Sequence, residues 1–271
     1  MRVGAFMIIV VAWDKRGRHD LQPVESLEPA VLISVLALIV LAAALYASVG
    51  HGGASGYLAV MALFGMAPAF MKPAALSMNI VVAGYVFYRL WRAGHFDWRL
   101  FTPFAVASIP LAALGGAWTL HDTWYRWLVG AALLLASARL FTESRDTEPR
   151  ARPHTALAML IGALLGFLSG LTGVGGGIFL SPVLLLLGWT TMRQNAAMAA
   201  AFILVNSLAA LMGHVGSGQS WPADIPYFMI AAMIGGLVGA ELAVRRLAPV
   251  TLKKLLGVVL VIAGLKMFLI A

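Results

Sequence analysis

The chain is organised as long apolar segments separated by short polar ones. No Asp, Glu, Lys or Arg occurs in residues 29–71 or in residues 153–192. A helix needs roughly 20 apolar residues to cross a bilayer, so each run has room for two passes, or for one pass and a re-entrant hairpin. The pattern predicts ten apolar segments, at residues 29–49, 54–66, 73–91, 100–119, 124–141, 155–172, 178–189, 196–214, 225–243 and 251–270.

Composition places these segments in a membrane. The chain is 61% hydrophobic and only 11% charged, whereas soluble domains carry about 25% charged residues. We therefore predict an all-α polytopic protein of the inner (cytoplasmic) cell membrane, surrounded by the lipid bilayer. Its net charge of +8 comes from small basic clusters between the apolar segments, which is typical of orientation by the positive-inside rule and not of nucleic-acid binding.

The remaining global features narrow the chemistry. The chain has no cysteine, which excludes disulfides and thiolate metal sites, and no motif indicates a cofactor or a metal ion. Residues 1–28 form an N-terminal tail whose apolar core, behind Arg2, is too short to span a bilayer and is followed by no clear cleavage site. The oligomeric state is left open by the sequence.

Two halves of the chain repeat the same pattern. The stretch "SVGHGGASGYLAVMALFG" (48–65) aligns without a gap on "LTGVGGGIFLSPVLLLLG" (171–188), and "ALSMNIVVA" resembles "AFILVNSLA" after a small insertion, which pairs Asn79 with Asn206. A matching order of elements in both halves indicates duplication. We therefore predict a first transmembrane repeat at 29–142, a cytoplasmic linker at 143–154 and a second repeat at 155–271.

Basic residues predict how the repeats are oriented. Most of them fall on one side of the membrane if the clusters at 89–99, 139–152 and 245–254 are cytoplasmic, whereas the loop "GSGQSWPAD" has none. By the positive-inside rule, the first repeat then starts outside the cell and the second starts inside. The two repeats are thus predicted to be inverted, each with a glycine-broken helix pair and about three spanning helices.

The glycine-rich breaks are the strongest candidate for a binding site. Short, glycine-interrupted segments at matching positions of inverted repeats point to the substrate site of a secondary transporter. A helix that starts inside the membrane presents free backbone N–H groups and about half a positive charge, which suits an anion. The predicted substrate-binding residues are Gly50, His51, Gly52, Gly53, Asn79, Gly173, Gly175, Gly176, Gly177 and Asn206. The alternative interpretation is that the glycines permit helix packing and the asparagines link helices.

Four ionisable residues have two interpretations each. His51 either hydrogen-bonds a carbonyl group or couples a proton to the anion. Glu241, four residues before Arg245, either forms a helix-end ion pair or carries a proton. Lys72 and Arg193, which the pattern places just before the third helix of each repeat, either extend to the membrane interface or gather anions at opposite mouths of the pathway.

The paired motif, the order of segments and the stretch "KPAALSMNIVVAGYVFYRLWRAGHFD" resemble the TauE/SafE family of membrane permeases. The resemblance covers nearly the whole chain from about residue 30, and "GLTGVGGGIFLSPVLLLLG" is its more specific motif. The first copy differs: it reads "GHGGASGYL" and lacks a proline matching Pro182. The resemblance implies export of small sulfur-containing anions, either sulfite or an organosulfonate such as sulfoacetate. It fixes neither the anion nor the coupling ion, for which a proton is our hypothesis.

Two other functions stay open at this point. "GASG" around Ser55 and "LMGHVGSG" around His214 faintly resemble the nucleophile and the base of rhomboid intramembrane proteases, although the second repeat replaces Ser55 with Ile178. Helix ends that line a pore would also suit a passive anion channel. Because the duplication retains the glycines and not the serine, the sequence favours a carrier without catalytic residues over an enzyme.

Overall fold

The computed structural model describes residues 28–141, 153–245 and 250–269. Within these ranges the chain forms ten helices and no strand, namely α1 (Pro29–Ala47), α2 (Ala54–Leu63), α3 (Pro68–Arg92), α4 (Trp98–Ala117), α5 (Asp122–Phe141), α6 (Thr155–Thr172), α7 (Gly177–Leu186), α8 (Met192–Gly216), α9 (Ile225–Arg245) and α10 (Val250–Leu269). All ten predicted segments are helical, so the all-α fold is confirmed. The predicted N-terminal tail and linker lie outside the described residues, apart from their last one or two residues.

Five helices of the described part, α1, α3, α4, α6 and α8, are long and apolar enough to cross a membrane. Large apolar side chains lie exposed on the outside of the bundle, for example Ile33 on α1, Leu164 on α6 and Ile230 on α9. Apolar surface of this extent is stable against lipid and not against water. The chain is therefore a multi-pass membrane protein, as predicted.

Two helices begin earlier than the apolar pattern predicts. Helix α3 starts at Pro68 instead of residue 73, because proline is favoured in the first turn of a helix. Helix α8 starts at Met192 instead of residue 196, where Thr191 and Gln194 form a reciprocal capping box. Lys72 and Arg193 consequently lie inside these helices, and the prediction that they precede them is wrong.

The order and length of the helices recur in the two halves. Helices α1 to α5 have 19, 10, 25, 20 and 20 residues. Helices α6 to α10 have 18, 10, 25, 21 and 20 residues. A short helix of identical length thus follows the first break in each half. The opposite orientation of the halves in the membrane stays a prediction.

The halves interlock through their first and fourth helices. Helix α6 packs against α4, α1 packs against α9, and α3 crosses α8 in the middle of the bundle. Glycines make the α4–α6 contact close: a Cβ atom at Gly162 would lie 2.8 Å from Phe104 Cα, and one at Gly166 would lie 2.6 Å from Ser108 Cα. Small residues four apart let membrane helices approach to backbone contact.

Candidate functional site

Both short helices begin at glycines in left-handed backbone conformations. Gly53 precedes α2 with φ 102°, and Gly176 precedes α7 with φ 78°. Neither helix has a side-chain cap at its N-terminus, so no capping side chain satisfies the N–H groups of the first turns, which a helix leaves without i−4 partners. The predicted pair of glycine-broken helices is therefore present in the structure. Positive φ values also occur at Gly50, Gly173 and Gly175.

The two breaks meet at a single pair of side chains. A Cβ atom at Gly52 would lie 2.7 Å from Asn79 Oδ1 and 2.9 Å from Ile203 Cγ2. A Cβ atom at Gly175 would lie 2.7 Å from Asn79 Nδ2 and 2.8 Å from Ile203 Cγ2. Asn79 comes from α3 and Ile203 from α8, so the crossing of these helices holds the breaks of both halves together.

Asn79 and Asn206 have different surroundings. The Asn79 amide Nδ2 donates to Val174 O and to Ser207 Oγ, both at 3.3 Å. The Asn206 amide instead donates to Phe202 O, one turn back in its own helix, at 2.8 Å. Both side chains are fully buried, and both Oδ1 atoms lack a hydrogen-bond partner among the described residues.

Ile203, and not Asn206, occupies the position that corresponds to Asn79. Helices α3 and α8 both have 25 residues. Counted from the first residue of each helix, Asn79 corresponds to Ile203. The predicted pairing with Asn206 required a small insertion that the equal helix lengths do not support. At the centre of the bundle, the first half thus contributes a polar residue, Asn79, and the second half contributes an apolar residue, Ile203.

His51 connects the first break to the second short helix. Its Nδ1 lies 3.1 Å from Val49 O, and its Nε2 lies 2.9 Å from Ser181 Oγ on α7. The ring is almost completely buried, with 4% exposed. Because a carbonyl oxygen only accepts, Nδ1 carries the hydrogen in this pair and a neutral ring accepts from Ser181.

A small cavity lies beside this histidine, lined by Tyr46, His51, Gly53, Ala54, Ser55, Val174, Ile178 and Ile203. Its volume is about 10 Å³, which is about the space that one water molecule requires. Residues from both breaks contribute to its walls. The structure therefore shows the two breaks closed around a water-sized space.

The serine and histidine of the protease alternative are not brought together. Ser55 Oγ donates to Tyr46 OH at 2.6 Å. The Nε2 of His214 donates to Ser220 O at 3.0 Å, and this histidine lines a different cavity from Ser55. A nucleophile and its base need to lie within hydrogen-bond reach, so the structure gives this pair no catalytic geometry.

The charged groups of the ionisable candidates make their observed contacts outside the two breaks. The Lys72 ammonium donates to three carbonyl groups at the end of α4, those of Gly115, Gly116 and Trp118, at 3.2, 2.9 and 3.1 Å. Arg193 is exposed in the first turn of α8. Glu241 forms an ion pair with Arg89 of α3, so one partner of this carboxylate lies in the other half, and its predicted pairing with Arg245 stays a prediction.

Three further residues at this site were not predicted. Ser181 and Ser207 form hydrogen bonds with His51 and Asn79, and Ile203 lies against Gly52 and Gly175. The two serines lie 130 and 128 residues from their partners along the chain, so local pattern does not reveal the pairing. A signal was available for Ser181, because it lies in the second glycine motif beside Pro182.

Comparison with known proteins gives a consistent result. Residues 35–267 match the profile of the family described as "Sulfite exporter TauE/SafE". The chain is 39% identical over 238 residues to the probable membrane transporter protein y4hK of Sinorhizobium fredii, covering 86% of this chain and 96% of that protein. It is 24% identical over 254 residues to the probable membrane transporter protein YjnA of Bacillus subtilis, covering 87% and 99%. No solved structure matches this chain.

Proposed function

Because this chain belongs to the TauE/SafE family of membrane transporters, we propose that it is a secondary transporter that exports a small sulfur-containing anion across the cytoplasmic membrane. The protein is a membrane transporter and not an enzyme. The proposed substrates are sulfite and organosulfonates such as sulfoacetate, in keeping with the description of the family as sulfite exporters.

The meeting of the two glycine breaks at Asn79 is the observation that carries the proposal. The uncapped N-termini of α2 and α7 supply backbone N–H groups and partial positive charge. Such N-termini bind anions without further charged groups. The proposed substrate-binding residues are the glycines and polar groups of this region, namely Gly50, His51, Gly52, Gly53, Asn79, Gly173, Gly175, Gly176, Gly177 and Asn206.

Within this set, Asn79 makes the larger contribution. Its amide donates through two long hydrogen bonds of 3.3 Å, which exchange easily for a bond to an anion. The Asn206 amide donates to Phe202 O at 2.8 Å, so binding an anion there costs an existing hydrogen bond. Asn206 therefore contributes less than Asn79.

The closed centre favours a carrier over an open channel. The cavity at the breaks has a volume of about 10 Å³, which is too small for an anion of four or more heavy atoms. The substrate therefore enters only when the halves move apart on one side, and it leaves when they move apart on the other. Movement of one inverted repeat against the other around a central site is alternating access.

A proton is the proposed coupling ion, and His51 its carrier. The neutral ring accepts a hydrogen bond from Ser181, whereas the protonated ring would donate at both nitrogens. Protonation thus changes the contact between the first break and α7. Glu241 is the second candidate, because its ion pair with Arg89 joins α9 to α3 and protonation of the carboxylate would break it.

Arg193, exposed at the start of α8, is proposed to gather anions at the cytoplasmic mouth of the pathway.

Flux of a labelled substrate from proteoliposomes tests this proposal. We expect saturable efflux of sulfite or sulfoacetate that sulfate and acetate do not compete for, and that an imposed pH gradient drives. Asn79→Ala should weaken the apparent affinity about tenfold, the typical loss for a hydrogen bond to a charged group. His51→Gln should abolish the response to the pH gradient while efflux down a substrate gradient persists.

Asn206→Ala is the matched control, since it removes the same amide from the facing helix. We expect its apparent affinity to stay within about threefold of the wild type, because that amide is already bonded within its own helix. Conductance that does not saturate, or that is insensitive to the pH gradient, would support the channel alternative instead. Equal losses of apparent affinity in both asparagine variants would contradict the proposal that Asn79 contributes more to substrate binding than Asn206.

A further inference from the structure

A second, larger cavity lies at one end of the bundle. It has a volume of about 200 Å³ and forms where α3 and α5 begin and α4, α6 and α8 end. Its walls include Lys72, Trp118, Tyr125, His214 and Gln219. We call it the Lys72 cavity. None of its lining residues lines the small cavity at the glycine breaks.

Lys72 places a positive charge without a direct ion-pair partner in this cavity. Its side chain is buried, with 6% of the residue exposed, and its ammonium donates only to the neutral carbonyl groups at the end of α4. No carboxylate within the described residues forms an ion pair with it. Buried charges in proteins are normally paired with an opposite charge, and no carboxylate of the described residues lies within ion-pair distance of Lys72.

His214 adds an unused hydrogen-bonding group to the same cavity. The residue is 3% exposed, and its Nε2 donates to Ser220 O at 3.0 Å. Its Nδ1 is buried and makes no hydrogen bond of normal geometry within the part of the chain that the structure describes, although the Gln219 side chain lies close to the ring. A lone pair in this position accepts a proton, and the protonated nitrogen then becomes a donor.

A short stretch of α6 and the following loop separates this cavity from the glycine breaks. Leu171 lines the Lys72 cavity, whereas Val174 lines the small central cavity. Between them, a Cβ atom at Gly173 would lie 3.2 Å from Lys72 O. Residues 171–174, which we call the 171–174 wall, therefore run from the lining of one cavity to the lining of the other.

We infer that the Lys72 cavity is a second binding site, for a small oxyanion, beside the central site and on the side of the protein opposite the cytoplasm. The ammonium group of Lys72 supplies the charge. A proton from solvent binds to Nδ1 of His214, which then donates a hydrogen bond to the anion. A volume of about 200 Å³ is below the roughly 300–1,000 Å³ of drug-sized sites, which suits an anion of few heavy atoms.

The place of this site on an export pathway rests on the proposed function, but its ability to bind an anion does not. Export through the central site would deliver the anion across the 171–174 wall into the Lys72 cavity. There the ammonium of Lys72 and the protonated His214 would hold it before release. Binding of an oxyanion at this position is therefore measurable without any transport.

Three charged or titratable groups face His214 across the cavity. Lys72 comes from α3, and Asp122 and Tyr125 come from α5. The lining residues of the α4 end and of α6 carry no ionisable group. Asp122 is exposed, so its charge is partly screened by solvent, but it opposes an anion. Removing that charge should strengthen binding, an effect that a purely structural role of the cavity does not predict.

Sulfate binding to the purified full chain in nanodiscs, measured by calorimetry, tests the inference. Sulfite and acetate serve as a second oxyanion and a carboxylate control. We expect His214→Gln to weaken sulfate and sulfite binding about tenfold, as expected for loss of a charge-assisted hydrogen bond. Asp122→Asn should strengthen binding about two- to threefold, the scale of an exposed charge pair.

Lys72→Met should abolish binding, and Lys266→Met is its matched control. Lys266 is a half-buried lysine that donates to Leu63 O on α2, away from this cavity. Its loss should leave the sulfate affinity unchanged. Should Lys72→Met fail to fold because the end of α4 loses its partner, the His214 and Asp122 variants still decide the question. Unchanged affinity in both would overturn the inference.

The pH dependence gives an independent readout. An anion and a proton on His214 favour each other, so sulfate should bind more tightly at pH 6 than at pH 8, and His214→Gln should remove this difference. Asn79→Ala should leave sulfate binding at the Lys72 cavity intact. If transport is lost in Asn79→Ala while this binding persists, the two sites are distinct. If sulfate does not bind but flux remains saturable, only the second site is refuted.

Discussion

Glycine at the two breaks satisfies backbone geometry and space together. Gly53, Gly175 and Gly176 adopt positive φ values, where an L-residue pays about 1–2 kcal/mol. Gly52 needs glycine for the second reason alone, because a Cβ atom would overlap Asn79 and Ile203. Packing and substrate binding are therefore not exclusive interpretations of the motif, since close packing is what brings both helix N-termini to one point.

Two glycines with similar φ values separate the effect of a steric collision on transport from the effect of backbone conformation on stability. Gly175 and Gly218 have φ values of 82° and 79°, but a Cβ atom at Gly218 would meet nothing within 4 Å. Both Gly175→Ala and Gly218→Ala should lose about 1–2 kcal/mol from the left-handed conformation. Only Gly175→Ala adds a collision with Asn79, so it alone should abolish transport.

Thermal unfolding and flux of the two variants, measured in parallel, check this prediction. Gly218→Ala should lower the melting temperature slightly and keep wild-type affinity. Equal loss of transport in both variants would contradict the claim that the space around Asn79 matters.

The residues of the site differ in how far sequence could reveal them. The glycines stand out because their spacing repeats in both halves. The His51–Ser181 pair joins residues 130 positions apart, and Ile203 is an ordinary apolar residue in an apolar helix. No local pattern marks such partners, because only the packing of the two halves brings them together. The Lys72 cavity was missed for the same reason: five helix ends form it.

The sequence predicts the helices well where they consist of apolar residues. It predicts their first residues less well where these residues are polar. The ten apolar segments correspond to the ten helices because an apolar run inside a bilayer, whether or not it crosses completely, has to satisfy its backbone hydrogen bonds within a helix. The starts of α3 and α8 were placed four or five residues late. Pro68 and the Thr191–Gln194 capping box extend these helices into more polar sequence, which an apolar pattern does not detect.

Glycines on α6 determine how closely it packs on α4. A Cβ atom at Gly166 would lie 2.6 Å from Ser108 Cα, against backbone that cannot rotate away. Gly166→Ala should therefore push the helices apart and destabilise the protein by about 1–3 kcal/mol, as overpacking does. Gly84→Ala on α3 is the control, since its nearest neighbour would be Leu204 Cδ1 at 3.5 Å.

Unfolding of these two variants in detergent gives the measurement. Gly84→Ala should be neutral or stabilising by up to about 1 kcal/mol, because alanine favours the helix more than glycine does. A Gly166→Ala variant as stable as the wild type would mean that α4 and α6 separate without cost.

The interlocking of the halves bears on how the whole molecule can move. Each half places its first helix against the fourth helix of the other, through the α4–α6 and α1–α9 contacts. Glycine packing makes these contacts close: a Cβ atom at Gly235 would lie 2.8 Å from Ala43 Cβ. We therefore expect the two pairs to move as units, with the change of shape concentrated at the α3–α8 crossing. The proposed substrate site lies at this crossing.

Single-cysteine labelling tests the predicted inversion of the halves. The chain has no cysteine, so each introduced thiol reports alone. Ala93 and Ser217 cap the C-termini of α3 and α8, and both are exposed. They are equivalent positions, but basic residues surround Ala93, whereas the loop after Ser217 has none. The positive-inside rule therefore predicts that Ala93→Cys is cytoplasmic and Ser217→Cys is on the opposite side.

A membrane-impermeant maleimide applied to intact cells should label Ser217→Cys and not Ala93→Cys, and disrupting the membrane should make both react. Labelling of both from the same side would mean that the halves are parallel repeats. The α2 and α7 N-termini would then point the same way through the bilayer, and one anion could not face both of them from opposite sides. Because alternating access as proposed requires that inversion, this result would refute the mechanism while leaving the Lys72 cavity to be tested on its own.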